Sequence, residues 1–61
     1  MSKGIRFIDG KEFMLSGRYS SKPRAEYVAE AHARGWEAVK VLKTPHRFGD
    51  YSVWVHGRRN A

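Results

Sequence analysis

The residues that could perform acid–base chemistry or hold a metal ion are few and far apart in this chain. There is no cysteine, which excludes thiolate zinc sites and disulfides. The histidines are predicted to lie on different surfaces, with His32 on a helix, His46 on a loop and His56 near the end of a strand. Their spacing matches no metal-ligand motif, so we predict no metal site and no cofactor.

The carboxylates and serines are explained by local structure. Asp9 stands before a glycine in a turn dipeptide, and Glu26 and Glu30 are four residues apart on the solvated ridge of a predicted helix. Ser20 and Ser21 lie where that helix begins and would cap it. Since no nucleophile stands beside a base, we predict that the chain is not an enzyme.

The basic residues indicate binding instead of catalysis. Lys and Arg number 12 against 6 Asp and Glu, which gives a net charge of +6 and a pI of about 10.2. Such an excess favours nucleic acid as the partner, ahead of anionic membrane surfaces and acidic proteins. Because 41% of the residues are hydrophobic and 13% are aromatic, the chain is too apolar for a disordered basic tail, and we expect a folded domain.

The clearest structural element is a helix between Ser20 and Trp36. Ser21 can cap it, although Lys22, the residue before Pro23, is an alternative last non-helical position. Pro23 fits the first turn, and Gly35 is placed to close the helix in the left-handed conformation. Its apolar stripe is thin and consists mainly of alanine, so the helix must lie close against a sheet. The stripe contains Ala25, Val28, Ala29 and His32.

Four short stretches show the alternation typical of β-strands. Residues 4–19 contain two of them around Asp9 and Gly10, the dipeptide that favours a type I′ hairpin turn. Residues 37–43 and 51–56 form the other two. Gly17, inside the second strand, indicates a β-bulge or a close approach of the helix. The last two strands are joined by an exposed loop with His46, Arg47 and Phe48 at its tip.

The order of these elements predicts an α+β fold of the ββαββ type, in which one helix packs on one face of a four-stranded, mainly antiparallel sheet. Residues 1–61 make a single small basic domain, and residues 57–61 are expected to form a flexible tail. The predicted core consists of Phe7, Phe13, Leu15, Ala25, Val28, Ala29, Val39, Val41, Val53 and Val55.

The sheet face opposite the helix, termed the open face, combines basic and apolar side chains. Alternation places there Arg6, Ile8, Met14, Ser16, Arg18, Lys40, Leu42, Ser52, Trp54 and His56. Arg and Lys bind phosphates and aromatic rings stack on unpaired bases, so the main hypothesis is a non-catalytic nucleic-acid-binding module for single strands or RNA. The predicted contacts are Arg6, Arg18, Lys40, Arg47, Phe48, Trp54, His56, Arg58 and Arg59.

The open face also allows a different function. The alternative is a homodimerising protein-interaction module whose two sheets pack together, which would enlarge the small core of a chain of this length. The predicted dimer interface consists of Ile8, Met14, Leu42 and Trp54. The two hypotheses are not exclusive, because a dimer formed through strand edges would leave the sheet faces free for a ligand.

From Met14 onward the sequence resembles one unit of the sporulation-related repeat, the SPOR-like fold. The matching positions are Gly17, Tyr19, Ser20-Ser21-Lys22, Ala25, Val28-Ala29, Gly35-Trp36 and the final strand YSVWVHG, which closes on Gly57. The chain is also similar to small basic archaeal proteins of ββαββ layout whose function is unassigned. The resemblance implies the same fold and, as a further alternative, binding of peptidoglycan glycan strands, which characterised members perform outside the cytoplasmic membrane.

The location of the protein is predicted from two signals that the sequence lacks. The N-terminal residues MSKGIRF have no apolar run of the kind found in a signal peptide. No stretch approaches the roughly 20 apolar residues of a membrane span. We therefore expect a cytoplasmic protein with no membrane partner.

Overall fold

The computed structural model describes residues 4–58 and confirms the predicted ββαββ architecture. Its elements are β1 (Ile5–Ile8), β2 (Lys11–Tyr19), α1 (Lys22–His32), β3 (Trp36–Lys43) and β4 (Tyr51–Arg58). The strands form one antiparallel sheet in the order β1-β2-β4-β3. Strand β4 includes Gly57 and Arg58, so it extends two residues into the segment expected to be a flexible tail. The rest of that segment, residues 59–61, lies outside the described residues.

The turn between β1 and β2 has the predicted type I′ geometry. Asp9 and Gly10 both adopt positive φ, at 54° and 78°, as this turn requires. The turn sets the hairpin register, in which Ile8 pairs with Lys11 and Arg6 with Phe13. The local turn residues therefore place Arg6 on the same face as Phe13.

Helix α1 begins as predicted and ends earlier than predicted. Ser21 is the N-cap, and its hydroxyl accepts a hydrogen bond from the Arg24 backbone N–H at 3.5 Å. The helix ends at His32 with Ala33 as C-cap. The prediction that Gly35 closes it with positive φ is wrong, because Gly35 lies in a further turn in which its N–H donates to the His32 carbonyl at 2.9 Å.

Strand β2 changes the phase of its alternation in the middle. The register shifts between Leu15 and Gly17, which confirms the predicted bulge and leaves Ser16 as the extra residue. Before the bulge, Leu15 pairs with Trp54, so Phe13 and Leu15 lie on the open face and not on the helix side. Met14 and Ser16, predicted on the open face, lie instead on the helix side: Met14 pairs with Val55, and Ser16 Oγ is 2.7 Å from His32 Nε2.

The core beneath α1 is built from small and β-branched side chains. Ala25 and Val53 are completely buried, and Val55 is nearly so. Val39 and Val41 pair with Val55 and Val53 across β3 and β4 and are partly buried. These contacts confirm the predicted helix-side packing.

Phe7 is a core prediction that is wrong, since its side chain is 73% exposed. Among the described elements, α1 packs on β2, β3 and β4 and does not reach β1. Phe7 lies on the helix side of β1. Because β1 is at the edge of the sheet, α1 does not cover the Phe7 side chain. The sequence pattern identifies the face of a strand but not the reach of the helix that should cover it.

The open face is concave and contains buried aromatic residues. Lys40 Nζ on β3 lies 3.5 Å from Asp9 Oδ2 in the β1–β2 turn, although three strand spacings, about 14 Å, separate β1 from β3 in a flat sheet. The sheet must curl for these side chains to meet. In this concavity Phe13 is 1% and Trp54 is 5% exposed, which places a second small core on the side away from α1.

Candidate nucleic-acid interface

One end of the concave open face forms a cleft of about 250 Å³. Strands β1, β2 and β4 supply its floor and walls, and the first residues of the β3–β4 loop close one side. Three basic side chains converge there, and none of the described residues that line the cleft is acidic. The lining residues are Ile5, Arg6, Arg18, Thr44, Pro45, His46, Ser52 and Trp54.

Arg6 is held in place by the buried residue beneath it. Its guanidinium carbon lies 5.5 Å from the ring centroid of Trp54, a cation–π arrangement. The Trp54 indole N–H donates to Ser52 Oγ at 2.8 Å, and the Ser52 hydroxyl donates to the Leu42 carbonyl oxygen at 3.4 Å. This chain of contacts fixes the indole and orients the exposed guanidinium, which lowers the entropy lost when an anion binds.

Arg18 adds a second positive charge to the same cleft. The bulge in β2 brings it to the open face, where it pairs with Ser52 of β4. Within residues 4–58 the ion pair formed is between Lys40 and Asp9, and neither Arg6 nor Arg18 has a carboxylate within ion-pair distance. Two arginines without acidic partners in one cleft favour a bound anion, because it would relieve their mutual repulsion.

His46 presents a donor at the loop side of the cleft. Its Nδ1 accepts a hydrogen bond from the Phe48 backbone N–H at 3.1 Å. A nitrogen that accepts cannot carry the proton of a neutral imidazole, so the proton of neutral His46 is on Nε2. His46 can therefore donate a hydrogen bond from Nε2 to a group in the cleft.

The loop beside the cleft carries the most exposed aromatic ring of the basic surface. Phe48 is 71% exposed, and its ring lies 5.5 Å from that of His46. The guanidinium carbon of Arg47 is also 5.5 Å from the Phe48 centroid. A solvent-exposed ring beside a cation offers a stacking surface for an unpaired base next to a phosphate contact.

The loop is docked on the rest of the domain by Gly49. This residue is buried, and a Cβ at its position would lie 2.6 Å from the backbone carbon of Tyr19. The Thr44 N–H donates to the Asp50 carbonyl at 2.8 Å, and the His46 N–H donates to Asp50 Oδ1 at 3.2 Å. These contacts fix the position of His46 relative to the strands.

The structure brings together only part of the predicted contact set. Arg6, Arg18 and Trp54 line the cleft, and Arg47 and Phe48 lie on the adjacent loop. Lys40 lies elsewhere on the open face and is paired with Asp9. Arg59 lies outside the described residues.

Two further predicted contacts are separated from the cleft. The Nδ1–H of His56 donates to the Glu12 carbonyl at 2.7 Å, and its ring is 5.3 Å from that of Phe13. His56 therefore covers Phe13 and belongs to the second core. Arg58 lies at the end of β4, opposite Trp36 on β3.

Trp54 has a different role from the predicted one. A stacking platform must be exposed, whereas this indole is 5% exposed and lies under Arg6. Its contribution is to support the Arg6 cation, and the exposed ring beside the cleft is that of Phe48. The lining residues absent from the predicted contact set are Ile5, Thr44, Pro45, His46 and Ser52. Ser52 is predicted on the open face without a role, whereas Thr44, Pro45 and His46 reach the cleft only because the loop closes over the sheet.

The predicted sheet-to-sheet dimer interface is not a continuous surface. Ile8 and Leu42 lie on the open face by register and are partly buried, and Trp54 is buried there. Met14 lies on the opposite face, next to Val55. These four side chains cannot meet one flat partner, because the bulge in β2 separates them.

The fold and cleft define a small α+β domain with a cationic concave sheet face. No family model, curated protein or solved structure matches the chain. In residues 4–58 there is no cluster of three or more His, Asp or Glu side chains arranged to hold a metal ion. The described helix is too short and too polar to cross a membrane.

Proposed function

We propose that this protein is a non-catalytic nucleic-acid-binding module that prefers single strands or RNA to duplex DNA. The observation that carries the proposal is the cleft in which Arg6, Arg18 and His46 converge without an acidic neighbour among the described lining residues. Its basic groups are of the type that bind phosphates, and the net charge of +6 would bring a polyanion to the surface.

The preference for single strands rests on the shape of the open face. A cleft of about 250 Å³ accommodates a phosphate and sugar but not the width of a duplex. The exposed Phe48 ring stacks only on a base that is unpaired. Duplex readers usually place a helix in the major groove, whereas the exposed surface of α1 balances Lys22 and Arg24 with Glu26 and Glu30 and so has no excess of positive charge.

Titration of labelled oligonucleotides tests the proposal. RNA and DNA of one sequence, single and double stranded, should be compared by fluorescence anisotropy at low and at physiological salt. We expect single strands to bind more tightly than the duplex, with affinity falling as salt rises because bound counterions are released. Absence of binding at low salt, despite a charge of +6, would contradict the proposal.

Homodimerisation is a second candidate function that one observation favours. Three large apolar side chains are exposed close together on β1 and β2: Ile5 is 42%, Phe7 73% and Met14 45% exposed. Ile5 and Met14 are cross-strand partners, and all three lie on the helix side of the sheet by register. A contiguous apolar patch of this kind is typical of an interaction surface, and Ile5, at the edge of the sheet, is the one described residue that it shares with the cleft.

A further inference from the structure

The exposed apolar patch on β1 and β2 contains one side chain, that of Phe7, which projects into solvent. Phe7 is 73% exposed because α1 does not extend over β1. It pairs with Glu12 across the hairpin and stands on the same side of the sheet as Met14. A phenyl ring in this position projects into solvent from a rigid two-stranded element, which makes it suitable as an anchor for a partner's groove.

A groove of about 350 Å³ lies beside this anchor on β2, β4 and the start of β3. Met14 and Val55, which are cross-strand partners, form part of it, and Trp36 contributes an indole. Charges of both signs, Glu12 and Arg58, stand among its lining residues. The full lining is Glu12, Met14, Trp36, Val55, His56, Gly57 and Arg58.

We propose that the occupant of this groove is Phe7 of a second copy of the chain, so that two copies exchange their Phe7 rings about a two-fold axis. The inference rests on the second candidate function and is independent of nucleic-acid binding. Because Phe7 pairs with Glu12 in the wall of the groove, anchor and groove are neighbours at this end of the sheet. A single two-fold axis then places the Phe7 ring of each copy in the groove of the other. The assembly is closed at two copies.

Charge and core size favour a second copy over an unrelated partner. A two-fold axis can place Glu12 of each copy against Arg58 of the other. The charged residues of the groove are therefore complementary to those of a second copy. The described residues bury only five hydrophobic side chains within each copy, which is a small core for a domain. Burial of Phe7 and Met14 between two copies would enlarge the apolar area withdrawn from water.

Such a dimer would also present two cationic clefts. The groove shares no lining residue with the cleft, and Phe7 and Met14 lie on the helix side, whereas Arg6 and Arg18 lie on the open face. Both clefts therefore remain accessible in the dimer. A strand long enough to reach the two clefts would bind with a higher effective affinity than one that fills a single cleft.

Sedimentation velocity of the full chain, from low micromolar to several hundred micromolar, tests the inference. We expect the wild type to reach twice the monomer mass and Phe7→Ser to weaken the dimer at least tenfold. The control is Phe48→Ser, which removes an equally exposed ring, 71% against 73%, from the β3–β4 loop and should leave the dimer intact. Circular dichroism should show the same fold for all three proteins, since both phenylalanines are exposed.

Two results would overturn the inference, and they have different meanings. A wild type that stays monomeric at the highest concentration would reject both this interface and homodimerisation. A dimer that persists unchanged in Phe7→Ser would retain homodimerisation but reject the exchange of Phe7 rings. A monomeric wild type that still binds oligonucleotides would leave the proposed function in place.

Discussion

Replacing Val53 with aspartate is expected to unfold the domain. Val53 is completely buried at the centre of the sheet, with Gly17 on one neighbouring strand and Val41 on the other. An unpaired buried carboxylate costs about 3–5 kcal/mol. At roughly 0.05–0.15 kcal/mol per residue, a chain of 61 residues has a total stability of only about 3–9 kcal/mol. The cost of the charge is therefore comparable with the whole free energy of unfolding.

Thermal unfolding followed by circular dichroism would measure this effect. We expect Val53→Asp to lose most of its cooperative transition at room temperature. Tyr27→Asp is the control, because Tyr27 is 70% exposed on α1 and an added carboxylate there stays in water. A Tm for Val53→Asp within a few degrees of the wild type would mean that α1 does not cover this position.

Replacing Gly49 with alanine is expected to destabilise the domain and to disturb the cleft. Gly49 has a φ of 137°, a conformation that residues with a Cβ rarely adopt. The added carbon would also lie 2.6–2.8 Å from the backbone carbon, oxygen and nitrogen of Tyr19, and backbone atoms cannot move aside cheaply. Backbone strain and overpacking together should cost about 2–4 kcal/mol, or roughly 10–25 °C in Tm.

The effect of Gly49→Ala should extend to binding through the loop that it anchors. His46 and Phe48 belong to that loop, so displacement of the loop would weaken oligonucleotide binding even at temperatures where the variant remains folded. Gly35→Ala is the matched control, since no atom lies within 4 Å of the added carbon and φ is not positive. Equal Tm values for the two variants would show that the loop does not dock on Tyr19.

Features fixed by neighbouring residues could be predicted from the sequence. The Asp9-Gly10 dipeptide defines a hairpin turn, and Ser21 followed by Pro23 defines a helix start, because both act through backbone conformation within a few residues. The order of the elements follows from these signals and from the alternation of apolar residues. This is why the ββαββ order of elements and the antiparallel sheet could be predicted.

Features that depend on distant contacts could not be predicted in the same way. Gly17 indicated a bulge, but its effect on the phase of β2 depends on which residue is extra, and that is set by pairing with β4. The curl that buries Trp54 joins residues from opposite edges of the sheet, Asp9 and Lys40. The cleft likewise needs Arg6 and His46 in one place, which only the closed sheet and the docked loop provide.

The most direct test of the central claim compares two double variants by the salt dependence of single-strand binding. Arg6→Gln with Arg18→Gln removes the cleft arginines, whereas Arg24→Gln with Arg34→Gln removes two exposed arginines of α1 and the turn after it. Both pairs of substitutions lower the net charge equally. A difference in salt dependence between the two double variants therefore shows the effect of where the arginines lie. Anisotropy titrations over a range of salt concentrations give the slope of log affinity against log salt for each protein.

We predict that the cleft pair flattens the slope by about 1.4, because each phosphate contact to a single strand contributes about 0.7. The helix pair should leave the slope close to that of the wild type. Equal flattening by the two pairs would mean that binding follows net charge alone, and would contradict a phosphate site formed by Arg6 and Arg18.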